Sequence, residues 1–360
     1  MLNGYKIIDA DSHVTEPVGM WKDYLEPAFQ SFALSSDLKI MGEPVTNKVS
    51  AKIKAVGNKQ IMQAHPISVL NAFDPESHVL AMQRMGIDIS YMYPTQGLWL
   101  LAVDTMAPKL AGAYTRAYNN WLKDFCAYNP KVLRGVGAIN RHAPEEMVSE
   151  LHRIAEFGWK AVFLLPNPVK GRLLSDRAYE PFWTECERLG IAVGIHEGTH
   201  GRLPTTGADR FNTRFAMNAC SHPMEQMMAL LALVEGGVLE RHPNLKVGFI
   251  ESGGGWLPYW LWRLDQEYEN LRWEVEENVK IKPSEYFLRQ CFIAIEPSEP
   301  YIAQIIEYIG SDNLIFGSDY PHMDHKPDIV KEVVALEAQL GRETVKKILW
   351  DNPARFYGLE

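Results

Sequence analysis

The chain alternates between short apolar runs and longer stretches in which apolar residues recur at helical spacing. The short runs predict strands at residues 5–13, 87–93, 132–139, 161–165, 191–196, 245–251, 291–295 and 314–317. The longer stretches predict helices at residues 77–85, 105–128, 143–157, 176–189, 215–241, 258–275, 300–309, 329–340 and 344–350. Gly86 and Gly190 follow two of these helices. Glycine in that position is typical of a helix C-terminus.

Strands that alternate with helices imply a parallel sheet with right-handed crossovers. Eight such units favour an α/β fold of the (β/α)8 TIM barrel type, formed as one domain over residues 1–360. An open, doubly wound sheet is the alternative, but it normally carries a glycine-rich turn after its first strand, and residues 11–14 are not one. Residues 31–73 depart from the alternation, and we expect an inserted hairpin or lid there.

Composition narrows the function. The chain has 46% hydrophobic and 22% charged residues and a net charge of -9, which argues against a nucleic-acid or anionic-membrane surface. No apolar run approaches the ~20 residues of a membrane span. The first strand begins so close to Met1 that we expect no signal peptide. The 4 cysteines form no C-x-x-C pair and indicate free thiols in a reducing, cytoplasmic setting.

Candidate chemistry begins in the first strand, where Asp9, Asp11 and His13 recur at every second residue. Alternate residues of a strand share a face, so we expect the three side chains to point the same way. A carboxylate and an imidazole at a strand end suit a divalent metal. The alternative is that they form turns or cap helices.

The active site of such a barrel lies at the C-terminal ends of its strands. Asp11 and His13 end strand one, His196 ends strand five and Asp319 follows strand eight. A set of four nitrogen and oxygen ligands suits zinc, with manganese or iron as alternatives. The competing interpretation is that each residue satisfies loop backbone as a polar end-cap.

Several segments together resemble the amidohydrolase superfamily. They are IDADSH at 8–13, GIH at 194–196, GGGWLP at 253–258, FGSDYPH at 316–322 and DNPARFYGL at 351–359. They are most similar to the amidohydrolase-2 branch, which includes aminocarboxymuconate-semialdehyde decarboxylase and the dihydroxybenzoate decarboxylases. The resemblance implies a metal-dependent barrel enzyme, with Asp11, His13, His196 and Asp319 around one metal.

The chain departs from the branch at two positions. Asp11 stands where the branch often has histidine, so the resemblance does not determine which metal binds or how tightly. Glu251 stands where the decarboxylases carry a histidine on strand six. It shares a face with residues 247 and 249, which should point it into the barrel mouth. An unperturbed glutamate, with a pKa of about 4.3, is a poor acid, which favours hydrolysis over decarboxylation. Binuclear relatives bridge their metals with a modified lysine at the end of strand four; this chain has no lysine there, so the resemblance implies a single metal.

Other polar or aromatic residues are candidates for binding substrate: Arg263, His200, Trp256 and His322. Arg263 matches an arginine that relatives direct at a substrate carboxylate, sometimes across a dimer interface; its alternative is a surface ion pair. His200 has the alternative of an exposed loop residue, and Trp256 that of a core aromatic. For His222, before Pro223, we expect a capping or surface role. Glu16 would cap the following helix or support a ligand.

The sequence therefore predicts a mononuclear metal-dependent hydrolase acting on a small carboxylated cyclic or aromatic substrate. Asp319 would act as ligand and proton acceptor, with Glu251 assisting. The first alternative is a non-oxidative metal-dependent decarboxylase of the same branch. The second is a metal-independent lactonase or a non-catalytic binding barrel. The resemblance also predicts a homodimer or higher homo-oligomer.

Overall fold

The structure, a computed structural model, describes residues 2–44, 51–198, 202–322 and 325–359. These residues form the parallel strands of a (β/α)8 barrel, as predicted. The strands are β1 (Ile8–His13), β2 (Ile89–Tyr93), β3 (Leu133–Gly135 and Gly137–Ala138), β4 (Ala161–Leu164), β5 (Ala192–His196), β6 (Val247–Ile250), β7 (Cys291–Ile295) and β8 (Leu314–Phe316). All are shorter than or equal to the predicted runs, because strand pairing ends before the apolar pattern does.

The strands follow one another around the barrel in chain order. One parallel sheet contains β1, β2 and the first part of β3, and a second contains the second part of β3 followed by β4 to β8 in order. The interruption of β3 at Val136 separates the two sheets. The barrel closes where β8 meets β1. There the backbone N–H groups of Ser318 and Asp319 donate to the Asp11 carbonyl at 3.1 and 2.8 Å, and the N–H of His13 donates to the Tyr320 carbonyl at 2.6 Å. This seam holds the ends of the first and last strands together.

Helices surround the strands. Their bounds are α1 (Val18–Tyr24), α2 (Ala51–Ala64), α3 (Pro66–Leu70), α4 (Pro75–Met85), α5 (Gln96–Leu101), α6 (Pro108–Cys126), α7 (Pro144–Glu156), α8 (Glu180–Leu189), α9 (Arg214–Glu235), α10 (Val238–Arg241), α11 (Leu257–Val275), α12 (Pro283–Gln290), α13 (Ile302–Ile309), α14 (Ile329–Ala335), α15 (Glu337–Leu340), α16 (Arg342–Lys346) and α17 (Asn352–Tyr357). Short 3-10 or π segments lie at Pro27–Phe32, Arg177–Tyr179 and Lys347–Asp351. None of the helices in the described ranges combines the length and the apolar character needed to cross a bilayer.

Local sequence explains where these helices begin and end. Asp74 caps α4, since its carboxylate accepts the Ser77 N–H at 2.8 Å. Gly86 ends α4 in the left-handed region, at φ 84°. The single helix predicted at 215–241 is instead two, α9 and α10, because Gly237 adopts a φ of 71° between them. The prediction missed α5 altogether.

The insertion predicted at 31–73 contains a short antiparallel pair, Lys39–Ile40 with Glu43–Pro44, followed by α2 and α3. Residues 45–50 lie outside the described part of the chain. The insertion packs on the loop after β8, where the Tyr320 hydroxyl donates to Ser68 Oγ at 2.7 Å. Its role as a lid stays a prediction.

Helix α17 covers the N-terminal end of the barrel. The hydroxyl of Tyr357 donates to the Ala10 carbonyl at 2.6 Å. The Phe356 ring lies against the backbone of Gly248 in β6, and a Cβ added at Gly248 would meet its Cζ at 2.5 Å. Glycine is therefore required there by close packing, because both residues are buried.

We expect Gly248→Ala to lower the free energy of unfolding by about 1–3 kcal/mol, since the methyl group overpacks the Phe356 ring. The double variant Gly248→Ala/Phe356→Leu should recover part of this loss. Urea unfolding followed by circular dichroism measures both. Gly19→Ala is the matched control, because nothing lies within 4 Å of its Cβ position. Equal stability of the Gly248→Ala variant and the wild type would contradict this packing.

Candidate metal centre

The end of β1 provides two of the predicted ligands. The side chains of Asp11 and His13 are buried, with His13 Nε2 3.4 Å from Asp11 Oδ1. The pairing of β1 with β2 is irregular between Asp9 and Ser12. The register shift breaks strict alternation in this strand, so sequence spacing alone does not fix where each side chain points.

The other two predicted ligands join them from β5 and the segment after β8. His196 Nε2 lies 3.2 Å from His13 Nε2 and 3.5 Å from Asp11 Oδ1. Asp319 Oδ1 lies 3.2 Å from His13 Nε2. Four ligand atoms around a tetrahedral zinc, each about 2.1 Å from the metal, are separated by roughly 3.4 Å. The separations among Asp11, His13 and His196 therefore match the spacing that a single cation needs, and Asp319 approaches this group through its contact with His13.

When their rings are neutral, the two histidines can present unprotonated nitrogens to this centre. His13 Nδ1 lies 2.8 Å from the Pro94 carbonyl, and His196 Nδ1 lies 2.9 Å from the Glu197 carbonyl. A carbonyl only accepts hydrogen bonds, so each Nδ1 carries the proton. In the neutral ring each Nε2 then directs a lone pair at the other ligand atoms. This arrangement is typical of metal-binding histidines.

The two carboxylates are equally suited to a cation. Asp11 Oδ1 is buried and makes no hydrogen bond within the described part of the structure, and the buried Asp319 Oδ1 is in contact only with imidazole nitrogens there, those of His13 and His322. Burial raises the pKa of Asp319, but His322 and His13 together lower it well below its usual range. Burial lowers the pKa of His13, but contacts with both carboxylates raise it well above its ordinary value. A proton on His13 thus competes with a metal for the same space.

His322 supports Asp319 from the loop after β8. Its Nδ1 lies 2.6 Å from Asp319 Oδ1, its Nε2 lies 2.9 Å from Thr95 Oγ1, and its ring lies 4.0 Å from that of His13. Together with His13, Glu251 and Asp319, it forms a second group of side chains that could hold a metal ion. Both of its ring nitrogens are engaged, so the geometry favours positioning of Asp319; the predicted substrate contact of His322 stays a prediction.

Glu16 fixes the Thr95 segment. Its carboxylate accepts backbone N–H groups from Thr95 at 3.2 Å and from Gln96 and Gly97 at 2.9 Å. The predicted cap therefore belongs to α5 and not to the helix that follows Glu16 in sequence. Through Thr95 and His322, this cap connects to Asp319.

Glu251 reaches the same centre from the end of β6. It adopts a φ of 52°, which is rare for a residue other than glycine and marks a sharp change of chain direction after the strand. Its Oε2 lies 3.2 Å from His196 Nε2 and its Oε1 lies 3.4 Å from His222 Nε2. The side chain thus faces the barrel mouth, as strand alternation predicts.

The structure places His222 in this site, and the predicted capping or surface role was wrong. Pro223 suggests a helix start, but α9 begins at Arg214 and contains the proline. Gln226 Nε2 donates to the carbonyls of Ile195 and Ile250, which holds α9 over the ends of β5 and β6. His222 lies one turn earlier on the same helix. Sequence spacing gave no sign of this approach.

The other residues predicted to bind substrate do not gather at the metal centre in the described part of the chain. Trp256 is half-buried, and its Nε1 donates to Ser252 Oγ at 3.3 Å. Arg263 is half-exposed and pairs with Glu267 at 2.5 Å on α11, the arrangement that its surface alternative predicts. His200 lies outside the described residues. Contact of these residues with substrate remains a prediction.

Asp9 does not join the centre, although its spacing predicted a shared face with Asp11. Its carboxylate accepts the N–H of Ser318 at 2.8 Å and the Ser318 hydroxyl at 2.6 Å. Asp9 therefore reinforces the seam between β1 and β8, next to Asp319. The register shift in β1 accounts for the difference.

The complete pattern can now be compared with known proteins. The family model described as Amidohydrolase, of the amidohydrolase-2 group, matches residues 8–359. The chain belongs to this family. The match covers every barrel strand and every residue of the candidate centre. This amidohydrolase is thus an enzyme of the hydrolase or carboxy-lyase kind, as the motifs predicted.

Two relatives carry more specific names. The amidohydrolase is 26% identical to a 2-amino-3-carboxymuconate-6-semialdehyde decarboxylase of Dictyostelium discoideum, over 81% of this chain and 78% of that protein. It is 26% identical to a gamma-resorcylate decarboxylase of Polaromonas sp., over 69% of this chain and 77% of that protein. Both relatives are decarboxylases by name.

Two solved structures share the fold. An amidohydrolase of Mycobacterium avium subsp. paratuberculosis superimposes with a TM-score of 0.80 at 21% identity, covering 99% of this chain and 100% of that one. A variant of 5-carboxyvanillate decarboxylase of Novosphingobium aromaticivorans, with bound manganese and a nitrobenzoic acid, superimposes with a TM-score of 0.73 at 22% identity, covering 99% and 98%. At this identity the likeness establishes the barrel fold.

The environment of Asp9 predicts a specific pH dependence of stability. Burial raises the pKa of Asp9 to about 7, although hydrogen bonds from Ser318 lower it. The unfolded value is about 3.9. The folded state therefore binds more protons between about pH 4 and pH 7, and the free energy of unfolding falls as pH rises through this window.

Asp9→Asn removes this titration and keeps an oxygen to accept from Ser318. We expect the variant to gain on the order of 2–4 kcal/mol relative to wild type between about pH 5 and pH 8. Urea unfolding at a series of pH values, on protein treated with chelator, measures the difference. Stability curves that stay parallel over that range would show that Asp9 is not protonated in the folded protein.

Proposed function

We propose that this amidohydrolase is a metal-dependent, non-oxidative decarboxylase of a small aromatic or cyclic carboxylate. The observation that carries the proposal is the approach of the His13 and His196 Nε2 atoms to buried carboxylate oxygens of Asp11 and Asp319, beside the Glu251–His222 pair. The names of the relatives support decarboxylation over hydrolysis. Hydrolysis is favoured if Glu251 is the only candidate acid; the contact of His222 with Glu251 supports a second candidate.

We propose Asp11, His13, His196 and Asp319 as the ligands of one divalent metal. Of the two groups of side chains that could hold an ion, one contains Asp11, His13 and His196, and the other contains Asp319; His13 belongs to both. Because one Nε2 binds only one metal, we treat the two groups as a single site. Two imidazoles and two carboxylates suit zinc, which stays the prediction from the ligand set, and they also suit manganese. Manganese is the metal in the carboxyvanillate decarboxylase structure.

When bound, the metal would supply positive charge that orients and polarises substrate oxygens. The side chains then divide the remaining work. Asp319, with its depressed pKa and its contact to His322, stays ionised and positioned, so it serves as a ligand and is a weak base. This revises the earlier expectation that Asp319 accepts the proton. Decarboxylation needs a proton delivered to the ring carbon, which directs attention to Glu251 and His222.

The decisive experiment combines metal analysis with turnover. We expect about one divalent ion per chain and release of CO2 from at least one member of a panel that includes gamma-resorcylate and 5-carboxyvanillate. Chelation should abolish turnover, and added manganese or zinc should restore it. Asp319→Asn should lower metal affinity at least tenfold, because it removes a charged ligand.

Asp328→Asn is the matched control, since its carboxylate is 68% exposed on the surface. It should bind metal and turn over substrate as the wild type does. Metal-independent hydrolysis of lactones, with no CO2 release from any carboxylate of the panel, would refute the proposal and support the lactonase alternative.

A further inference from the structure

We propose that His222 is the catalytic acid of this site, and that it delivers the proton to the substrate carbon that loses CO2. The inference rests on the proposed decarboxylation. It assigns a role to a residue of α9 that neither the strand ends nor the motifs indicate. Its basis is the position of His222 over the barrel mouth and the commitment of the other imidazoles there.

Among the described residues, three other histidines at the metal centre already have partners at both ring nitrogens. His13 and His196 each use Nδ1 on a backbone carbonyl and direct Nε2 to the metal centre. His322 uses Nδ1 on Asp319 and Nε2 on Thr95. A proton transferred from any of the three would disturb the ligand set itself.

Three further histidines lie beside the Tyr320 ring, among the residues that the structure describes. The rings of His65, His78 and His325 lie 4.8 to 5.4 Å from that of Tyr320. Burial lowers the pKa of His78 to about 3 and that of His65 to about 4. It lowers the pKa of His325 as well. These rings are neutral near pH 7 and cannot serve as acids there.

The position of His222 is set by the strands themselves. Gln226, one helical turn later, donates to the carbonyls of Ile195 and Ile250 at 2.8 and 3.0 Å. Those two residues immediately precede His196 and Glu251. Side chains four residues apart lie on one face of a helix, so His222 lies on the same face of α9 that is hydrogen-bonded to β5 and β6 through Gln226. His222 is thereby placed above the ends of these two strands.

Glu251 is the carboxylate that His222 contacts through Nε2, and Ser221 Oγ lies 3.4 Å from His222 Nδ1. The His222 Nε2 and Glu251 Oε1 atoms are 3.4 Å apart, and each of these two side chains is 18% exposed. The pair is therefore largely shielded from solvent, but part of its surface stays accessible to a substrate in the barrel mouth. The other oxygen of Glu251 lies 3.2 Å from His196 Nε2, so the pair borders the metal centre directly.

The charges around His222 favour its protonated form. Burial lowers its pKa, but Glu251, Glu197 and Asp319 together raise it to about 9. These contacts favour the imidazolium form, with Glu251 opposite its Nε2. A metal cation bound nearby would lower the pKa of His222 towards neutral pH.

The proposed step conserves atoms and electrons. The imidazolium N–H bond of His222 breaks and its proton forms a new bond to the ring carbon that bears the carboxylate. The bond between that carbon and the carboxylate then breaks, its electron pair stays on the ring, and CO2 leaves. His222 is left neutral and recovers its proton from solvent through the mouth of the barrel.

The test is His222→Gln in the metal-loaded enzyme, on the substrate that the wild type decarboxylates. We expect turnover to fall at least 100-fold, with metal content, thermal unfolding and affinity for a nitro analogue of the substrate retained. Exchange of the product's ring proton in D2O should be lost as well, because it uses the same proton transfer. In the wild type the rate should decline as alkaline pH deprotonates His222, and the residual rate of the variant should lack this decline.

His152→Gln is the matched control, because His152 also pairs with a glutamate, Glu185, but on the outer surface of α7 and α8. It should behave as the wild type does. Glu296 is the competing acid, since burial and nearby carboxylates raise its pKa to about 7. Exchange that survives in His222→Gln and disappears in Glu296→Gln would overturn the inference. A wild type that decarboxylates nothing in the panel would instead refute the proposed function.

Discussion

Electron-rich atoms of Asp11, His196 and Asp319 crowd around His13 Nε2 at the end of β1, and they repel one another when no proton or cation lies among them. Asp11 Oδ1 makes no hydrogen bond in the described structure, Asp319 Oδ1 is in contact with His13 and His322, and the Nε2 atoms of His13 and His196 lie 3.2 Å apart. Buried like charges and opposed lone pairs are costly unless a cation or a proton lies among them. The raised pKa of His13 is the protein's own response to that cost.

The seam between β8 and β1 imposes this proximity. The Asp11 carbonyl accepts two backbone N–H groups from Ser318 and Asp319, and the carboxylate of Asp9 holds Ser318 from the other side. Barrel closure and assembly of the site are thus one event, since the hydrogen bonds that close the sheet also deliver Asp319 to Asp11. The cost of crowding these groups is met by the hydrogen bonding and burial of the whole barrel.

Sequence reasoning could predict the barrel and the four candidate ligands because both depend on local pattern. Apolar runs bounded by glycine and proline mark the strands, and in a parallel barrel the residues at strand ends converge whatever the helices do. Asp9 and His222 depend on geometry that spacing does not contain. A register shift in β1 redirects Asp9 to Ser318. A proline within α9, instead of at its start, brings His222 over the mouth. Glu16 was recognised as a cap, but its helix lies far along the chain.

The chemistry follows from the division of labour among these side chains. Asp319 is held in place by a series of contacts: Glu16 accepts the Thr95 N–H, the Thr95 hydroxyl contacts His322, and His322 contacts Asp319. The Glu251–His222 pair, with its nitrogen and oxygen 3.4 Å apart, borders these ligands from β6 and α9. Fixed ligands beside an acid–base pair are the arrangement that the proposed metal-assisted decarboxylation requires.

The central claim is that one cation resolves the repulsion at the end of β1. A crystal structure of the manganese-loaded protein, with anomalous diffraction recorded above and below the metal's absorption edge, tests it most directly. The account predicts one anomalous peak about 2.0–2.3 Å from Asp11, His13, His196 and Asp319. A fully loaded protein whose only peaks lie elsewhere, with these four side chains arranged as they are here, would contradict it.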